Sequence, residues 1–368
     1  MIFWVENDIE VTYDQLFQEI SGQKSIHNLS GLSYFTNILK LLLKGKSFNS
    51  MDEIFSYLKQ NSSFLEFEIS TSGTTANKKE IKVKLSNCIR YVKEEQNKEK
   101  KIWGLGYPVG SFASTQVFFQ ALFNLESIIY IFKQDFSRMI NILNQERVTN
   151  LCCTPTFLSM ILINSKTQNI SVKKLSTGGE KMKENLIQNF KNFFINAQYS
   201  NIYATTETGS LLHSCSEYFT IPNRYKQKLK IENNTLHVHK SMLNDSPMIE
   251  LTNDWYDTND IVEFDDNNRF RFIARKNGFI NSGGYKVSPS EIEDVIINLP
   301  GVFDAHVYGK PNSILGTILC ADVLTKKLDA RNIKTQLKSV LEKHKIPQVV
   351  KIVDSFKSIE TGKKQILL

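Results

Sequence analysis

"STSGTTANKK" occupies residues 70–79, and its reading decides the fold. The stretch is small, polar and rich in hydroxyls, and it ends in two lysines. The preceding "FLEFEI" alternates apolar and polar side chains, as a half-buried strand does. Gly73 permits close backbone approach, so successive amides can point at one anion. The hydroxyls add donors and Lys79 adds charge. Ser/Thr/Gly clusters between elements are usually plain turns, but a turn needs none of these features. The stretch is not a Walker loop, because no G-K-[ST] occurs in the chain.

Strand-like and helix-like runs alternate from residue 64 to about 210. "SIIYIF" reads as a buried strand, and "DFSRMINILNQERV" has helical spacing with Asp135 as its cap. "VTNLCCT" is strand-like again and "KMKENLIQNFKNFF" helical again. This alternation predicts an α/β sheet with helical cover. Residues 10–60 read as mostly helical. After 230, "TLHVHKSM" and the pair "IVEF" and "RFRFIAR" around "DDNN" read as antiparallel strands. In "SPSEIEDVIINLPGV", Ser290 and Glu293 have the spacing of a capping box, and Ile292, Val295, Ile296 and Leu299 follow at helical spacing. The expected class is α/β. A large N-terminal α/β domain with mixed sheets (1–275) precedes a small mobile C-terminal α+β domain (276–368), with the boundary near Arg275–Gly278.

The chain has 368 residues, more than one core usually takes. A net charge of +7 suits phosphate-bearing ligands, but the lysine runs "VKEEQNKEKK" and "KKLDARNIK" carry acids among the lysines. They read as solvated helix faces rather than a nucleic-acid stripe. Five cysteines (Cys88, Cys152, Cys153, Cys215 and Cys320) form no C-x-x-C pair, so reduced thiols and a cytoplasmic location are expected. The first residues contain acids and no basic n-region, so no signal peptide is expected. The apolar runs are too short for a membrane span.

Further motifs are ambiguous taken singly. Glu207 in "YATTETGS" is a carboxylate among hydroxyls, which suits a hard cation such as Mg²⁺ or an ordinary polar loop. Asp260 in "YDTNDIVEF" suits a ribose diol or a turn before a hairpin. Arg275 suits a ligand or a surface pair. His237 and His239 share a strand face without an evident third ligand, which favours ordinary strand histidines over a metal site.

The order of the motifs is the stronger signal. The loop 70–79, then "STGGE", "YATTETG", "YDTND", "RKNGFINSGGYKVSPSEIE" and a terminal "TGKK" form a long ordered series. From about residue 66 to 368 the chain resembles the adenylate-forming superfamily of acyl-CoA synthetases, peptide-synthetase adenylation domains and luciferases. Residues 1–65 match it loosely, as in a member shortened at the N-terminus. The resemblance implies that Thr71, Ser72, Gly73, Thr74, Thr75 and Lys79 hold the β- and γ-phosphates of ATP. It implies that Gly178, Gly179 and Glu180 pack beside adenine and that Tyr203 stacks on it. Thr206 would contact the α-phosphate, Glu207 would ligate Mg²⁺, and Asp260 and Arg275 would bind the ribose. Asn277 matches the hinge, Gly283 and Gly284 the loop lining the pantetheine tunnel, and Lys363 the catalytic lysine of the first half-reaction. Ala76, Lys78, Asn259 and Ala274 depart from the family pattern; asparagine tolerates unusual backbone at Asn259.

The implied activity is ATP-dependent activation of a carboxylic acid to an acyl-adenylate with pyrophosphate release, followed by transfer to a thiol. In "YPVGSFASTQVFFQAL" no acid stands where amino-acid-activating members carry an aspartate; Phe112 occupies that position. Phe112, Phe118 and Phe119 suggest an aryl or medium acyl acid, or simply core. The expected acceptor is CoA; the phosphopantetheine arm of a free carrier protein is the alternative. A non-catalytic nucleotide-binding member is the rival from another class. The expected partners are thus a small acid and CoA or a carrier protein, with no nucleic acid and no membrane. A homo-oligomer is expected if a second copy covers surface exposed by the short N-terminal region.

Overall fold

The computed structural model describes residues 1–23, 29–71, 79–94, 99–132, 134–145, 148–165, 168–169, 171–247, 249–312 and 316–356, with backbone alone at 70, 71, 79 and 136. Its centre is an eight-stranded sheet. Strands Ile2–Glu6, Ser127–Tyr130, Ile102–Gly106, Asn150–Cys153, Lys174–Gly178 and Gln198–Thr205 run parallel. An antiparallel strand closes each edge, Ile9–Thr12 at one and Gly209–Ser214 at the other. The central strands Ile102–Gly106, Ser127–Tyr130 and Asn150–Cys153 are buried along nearly their whole length because helices cover the sheet; Asn150–Cys153 is buried at every position. Helix Phe136–Gln145 starts at Asp135, whose carboxylate accepts the Arg138 amide at 2.9 Å.

The start of the chain differs from its sequence reading. Residues Ile9–Thr12 are a strand, hairpin-paired with Ile2–Glu6 inside the main sheet. Asn7 and Asp8 turn the chain with φ of 53° and 65°, a conformation these residues tolerate. Thr12 then caps helix Tyr13–Ile20 in a reciprocal capping box with Gln15. Helix Ser30–Leu42 lays Phe35 flat on Phe118, centroids 4.4 Å apart and planes 8° apart. Phe3, Leu16, Phe35, Phe118 and Phe119 are all fully buried in this core. Phe118 and Phe119 are therefore core aromatics. Phe112, buried at the start of helix Phe112–Asn124, lies against Gly209.

A four-stranded antiparallel sheet of Leu229–Glu232, Thr235–His239, Trp255–Phe264 and Phe270–Arg275 has its own core around Leu236, Val238 and Phe270. Within it, His237 and His239 contact local groups, and the described residues hold no cluster of three metal-ligating side chains. Beyond Arg275, a short hairpin (Ile280–Ser282 and Tyr285–Val287) precedes helix Pro289–Ile297. Strands Val302–Asn312, Gly316–Thr325 and Val349–Val353 with helix Ala330–Val340 complete a separate core around Ile292, Ala305 and Leu319. The capping box at Ser290 is not formed. Pro289 takes the first helical position, which puts Ser290 inside the first turn, and the cap is Ser288 with no side-chain bond. The Glu293 carboxylate instead accepts the Val307 amide at 2.9 Å.

This C-terminal core docks on the large sheet domain through Lys181–Asp294 at 2.6 Å, Asn185–Asn298 at 2.7 Å and Lys326 to the Ile163 carbonyl at 2.7 Å. No helix among the described residues is long and apolar enough to cross a membrane. Of the cysteines, Cys88, Cys152, Cys153 and Cys320 are buried, Cys215 is exposed, and all are free thiols.

Candidate active site

Ligands of open α/β sheets bind beyond the carboxyl ends of the parallel strands. Gly178, Gly179 and Glu180 leave the end of Lys174–Gly178 there, and Tyr203 and Thr205 end the neighbouring strand Gln198–Thr205. A Cβ on Gly178 would stand 2.8 Å from the Ile202 carbonyl oxygen of that neighbour, so only glycine fits. Gly179 turns the chain with φ of 85°. Glu180 is held at a helix start, its carboxylate accepting the Thr156 amide at 2.9 Å.

Tyr203 sits at the centre of the site. Its ring stacks on Phe272 at 4.0 Å and 10°. Its hydroxyl donates to Asp260 Oδ2 at 2.6 Å, while Arg275 Nε donates to Asp260 Oδ1 at 2.7 Å. Asp260 and Arg275 are cross-strand partners in the hairpin register, so the fold places them opposite each other. Asp260 is 6% exposed and the Arg275 side chain 66%, so the pair joins a buried carboxylate to a solvated guanidinium. Burial first, and the Asp260 charge second, push the Tyr203 phenol well above its usual range, so it stays a proton donor. Asn259, before Asp260, has φ of 60°, the left-handed conformation that asparagine adopts more readily than a branched residue.

Residues 206–208 turn between strands Gln198–Thr205 and Gly209–Ser214. Glu207 is half-buried there, and its carboxylate makes no hydrogen bond or ion pair among the described residues. Its charge reaches Tyr256, whose phenol is pushed up to about 12 by burial first and by Glu207 second. Such an uncommitted carboxylate fits a hard cation. Mg²⁺ commonly takes one or two carboxylates and fills its remaining positions with water and phosphate oxygens.

Thr71 and Lys79 form the last pair of the hairpin Glu66–Thr71 and Lys79–Lys84, which carries the opening loop. Ser72, Gly73, Thr74 and Thr75 lie outside the described residues, as does Lys363. Gly283 and Gly284 form the two-residue turn of a hairpin, with φ of 56° and 85° and open space where a Cβ would be. Their glycines answer a backbone need.

The sequence reading missed Asn87, Arg90 and Asn244, which lie behind the 206–208 turn. Arg90 donates to the carbonyls of Thr208 (3.0 Å), Ser210 (3.2 Å) and Met242 (3.1 Å). Bonds to backbone carbonyls leave no residue spacing to detect, so no sequence signal marks these three.

Comparisons with known proteins bear on the family and the fold. Residues 67–238 match the family described as "AMP-binding enzyme", and residues 291–363 match "AMP-binding enzyme C-terminal domain". The 2-succinylbenzoate–CoA ligase of Staphylococcus aureus (strain Newman) is 22% identical over 373 residues, spanning 95% of this chain and 74% of that protein. The o-succinylbenzoate CoA synthetase (MenE) from Bacillus subtilis, solved with its acyl-adenylate intermediate OSB-AMP, superposes with a TM-score of 0.67. It is 17% identical, over 99% of this chain and 94% of that one. The anthranilate CoA ligase AuaEII, in complex with anthranoyl-AMP, gives a TM-score of 0.64 at 15% identity, over 81% of this chain and 65% of that one.

Proposed function

Because this chain belongs to the AMP-binding enzyme family, within the adenylate-forming superfamily, we propose that it is an AMP-forming acid–thiol ligase that activates an aryl acid and passes it to CoA. The observation that carries the reading is the Tyr203–Asp260–Arg275 cluster with the uncommitted Glu207 carboxylate beside it, at the carboxyl end of the parallel sheet. In this reading Asp260 and Arg275 bind the ribose hydroxyls, and Tyr203, backed by Phe272, offers a flat surface to adenine beside Gly178–Glu180. Thr71, Ser72, Gly73, Thr74, Thr75 and Lys79 embrace the β- and γ-phosphates, and Thr206 donates to the α-phosphate.

A carboxylate oxygen of the acid attacks the α-phosphorus of ATP, the bond to the β-phosphate oxygen breaks, and pyrophosphate leaves. Lys363 neutralises charge building on the attacking and leaving oxygens. Mg²⁺, held by Glu207, supplies further neutralisation of the phosphates when bound. The domain beyond Arg275 then rotates about Asn277, withdrawing Lys363 and bringing Gly283–Gly284 to the site. The thiol sulfur attacks the acyl carbon, the bond to the AMP oxygen breaks, and the thiol proton passes to solvent. A cytoplasmic location goes with this reading, since its chemistry consumes ATP and CoA and its cysteines are free thiols.

The aryl preference draws on two relatives of the same fold whose names specify aryl acids, and on the absence of an acidic residue in segment 107–122. The test is pyrophosphate release from ATP and Mg²⁺ across a panel of aryl, alkyl and amino acids, with and without CoA. Release that depends on an aryl acid, with a CoA thioester as product, is the expected result. Release with acyl-adenylate but no thioester would transfer the acceptor role to a carrier protein. High turnover with an amino acid would overturn the acid class.

A further inference from the structure

Asn244 stands behind the proposed ATP site and bonds both to the 206–208 turn and to the base of the hairpin that carries the hydroxyl-rich loop. Its Oδ1 accepts from Asn87 Nδ2 at 2.8 Å and from the Lys84 amide at 3.3 Å. Its Nδ2 donates to the Thr206 carbonyl at 2.6 Å, and its backbone N–H donates to the Glu207 carbonyl at 2.7 Å. The adjacent Asp245 exchanges both backbone bonds with Lys82, each 3.0 Å, on the strand that returns from the hydroxyl-rich loop. Arg90 completes the network from the other side. It holds the Thr208 and Ser210 carbonyls and orients Asn87 through Asn87 Oδ1 at 2.5 Å.

Each carbonyl from Thr206 to Thr208 is thus fixed from the protein side. Asn244 is 3% exposed and Asn87 7%, so water does not compete for these bonds. The three side chains bond to backbone groups and to one another. We propose that Asn244, supported by Asn87 and Arg90, is a positioning residue. It sets the spacing between the Glu66–Lys84 hairpin and the Thr206–Glu207 turn, so that the Glu207 carboxylate is already placed when Mg²⁺ and the nucleotide phosphates arrive. The inference rests on the proposed reading of Glu207 as the magnesium ligand. Without the strut, the turn would be ordered at the expense of binding, and the loss would fall on the metal-dependent part of ATP affinity.

The experiment is calorimetric titration of the full chain with ATP, with and without Mg²⁺, which needs no turnover. In the wild type, Mg²⁺ is expected to tighten ATP binding. In Asn244→Ala this gain is expected to shrink by about 10-fold, while affinity for ATP alone stays within about threefold. Arg90→Lys keeps the charge but cannot reach all four oxygens, so it should lose part of the gain. It carries the test if Asn244→Ala does not fold. A wild type whose ATP affinity ignores Mg²⁺ would sink the reading of Glu207 itself. A wild type with the gain, and folded variants that retain all of it, would overturn the positioning role and leave that reading standing.

Discussion

Lys363→Ala is expected to lower acid-dependent pyrophosphate release by about 100- to 1,000-fold, the usual cost of removing a group that stabilises transition-state charge. Two anions meet in the first half-reaction, and Lys363 is the proposed cation at the point of attack. ATP affinity should change little, because the phosphates keep the hydroxyl-rich loop and Lys79. The second half-reaction should survive: supplied with acyl-adenylate and CoA, the variant is expected to make thioester at close to the wild-type rate. Stopped-flow measurement of both half-reactions checks this. Equal loss in both would mean that Lys363 acts on the fold or on a step common to the two.

Glu207→Gln is expected to lower kcat for pyrophosphate release by about 100-fold, comparable to the loss of one preorganised electrostatic group. It should leave stability within about 0.5 kcal/mol of wild type. The reason for the split is structural. The Glu207 side chain has no hydrogen bond or ion pair among the described residues to lose, while its backbone carbonyl remains tied to Asn244. The isosteric amide keeps the shape and removes the charge that a hard cation requires. A second readout is Tyr256, whose phenol the Glu207 charge helps to raise; its spectrophotometric titration should shift downward in the variant. Full activity in Glu207→Gln at ordinary Mg²⁺ would remove Glu207 from the metal site.

The sequence carried the fold where periodicity speaks for burial. The alternation from 64 to 210 became the parallel sheet and its helices, and the hairpin around "DDNN" formed as read. Asn259 was marked by its residue type alone, and its φ of 60° agrees. The failures have local causes. The strand Ile9–Thr12 does alternate, but over only four residues, too few to stand out, and it is placed by the Asn7–Asp8 turn that pairs it with Ile2–Glu6. The Ser290 capping box has the right spacing, but Pro289 overrides it by starting the helix two residues too early for Ser290 to cap. Of the site, Tyr203, Asp260 and Arg275 were legible as residues, and the structure brings them into one bonded cluster. The Asn244–Asn87–Arg90 strut was not legible, because it joins segments about 150 residues apart through backbone oxygens.

The central claim is that a carboxylate oxygen attacks the α-phosphorus of ATP. It is tested most directly by supplying an aryl acid labelled with ¹⁸O in its carboxylate, with ATP, Mg²⁺ and CoA, and weighing the nucleotide product. The adenylate route predicts AMP carrying one labelled oxygen, formed together with the CoA thioester. Unlabelled AMP, or ADP in its place, would contradict it.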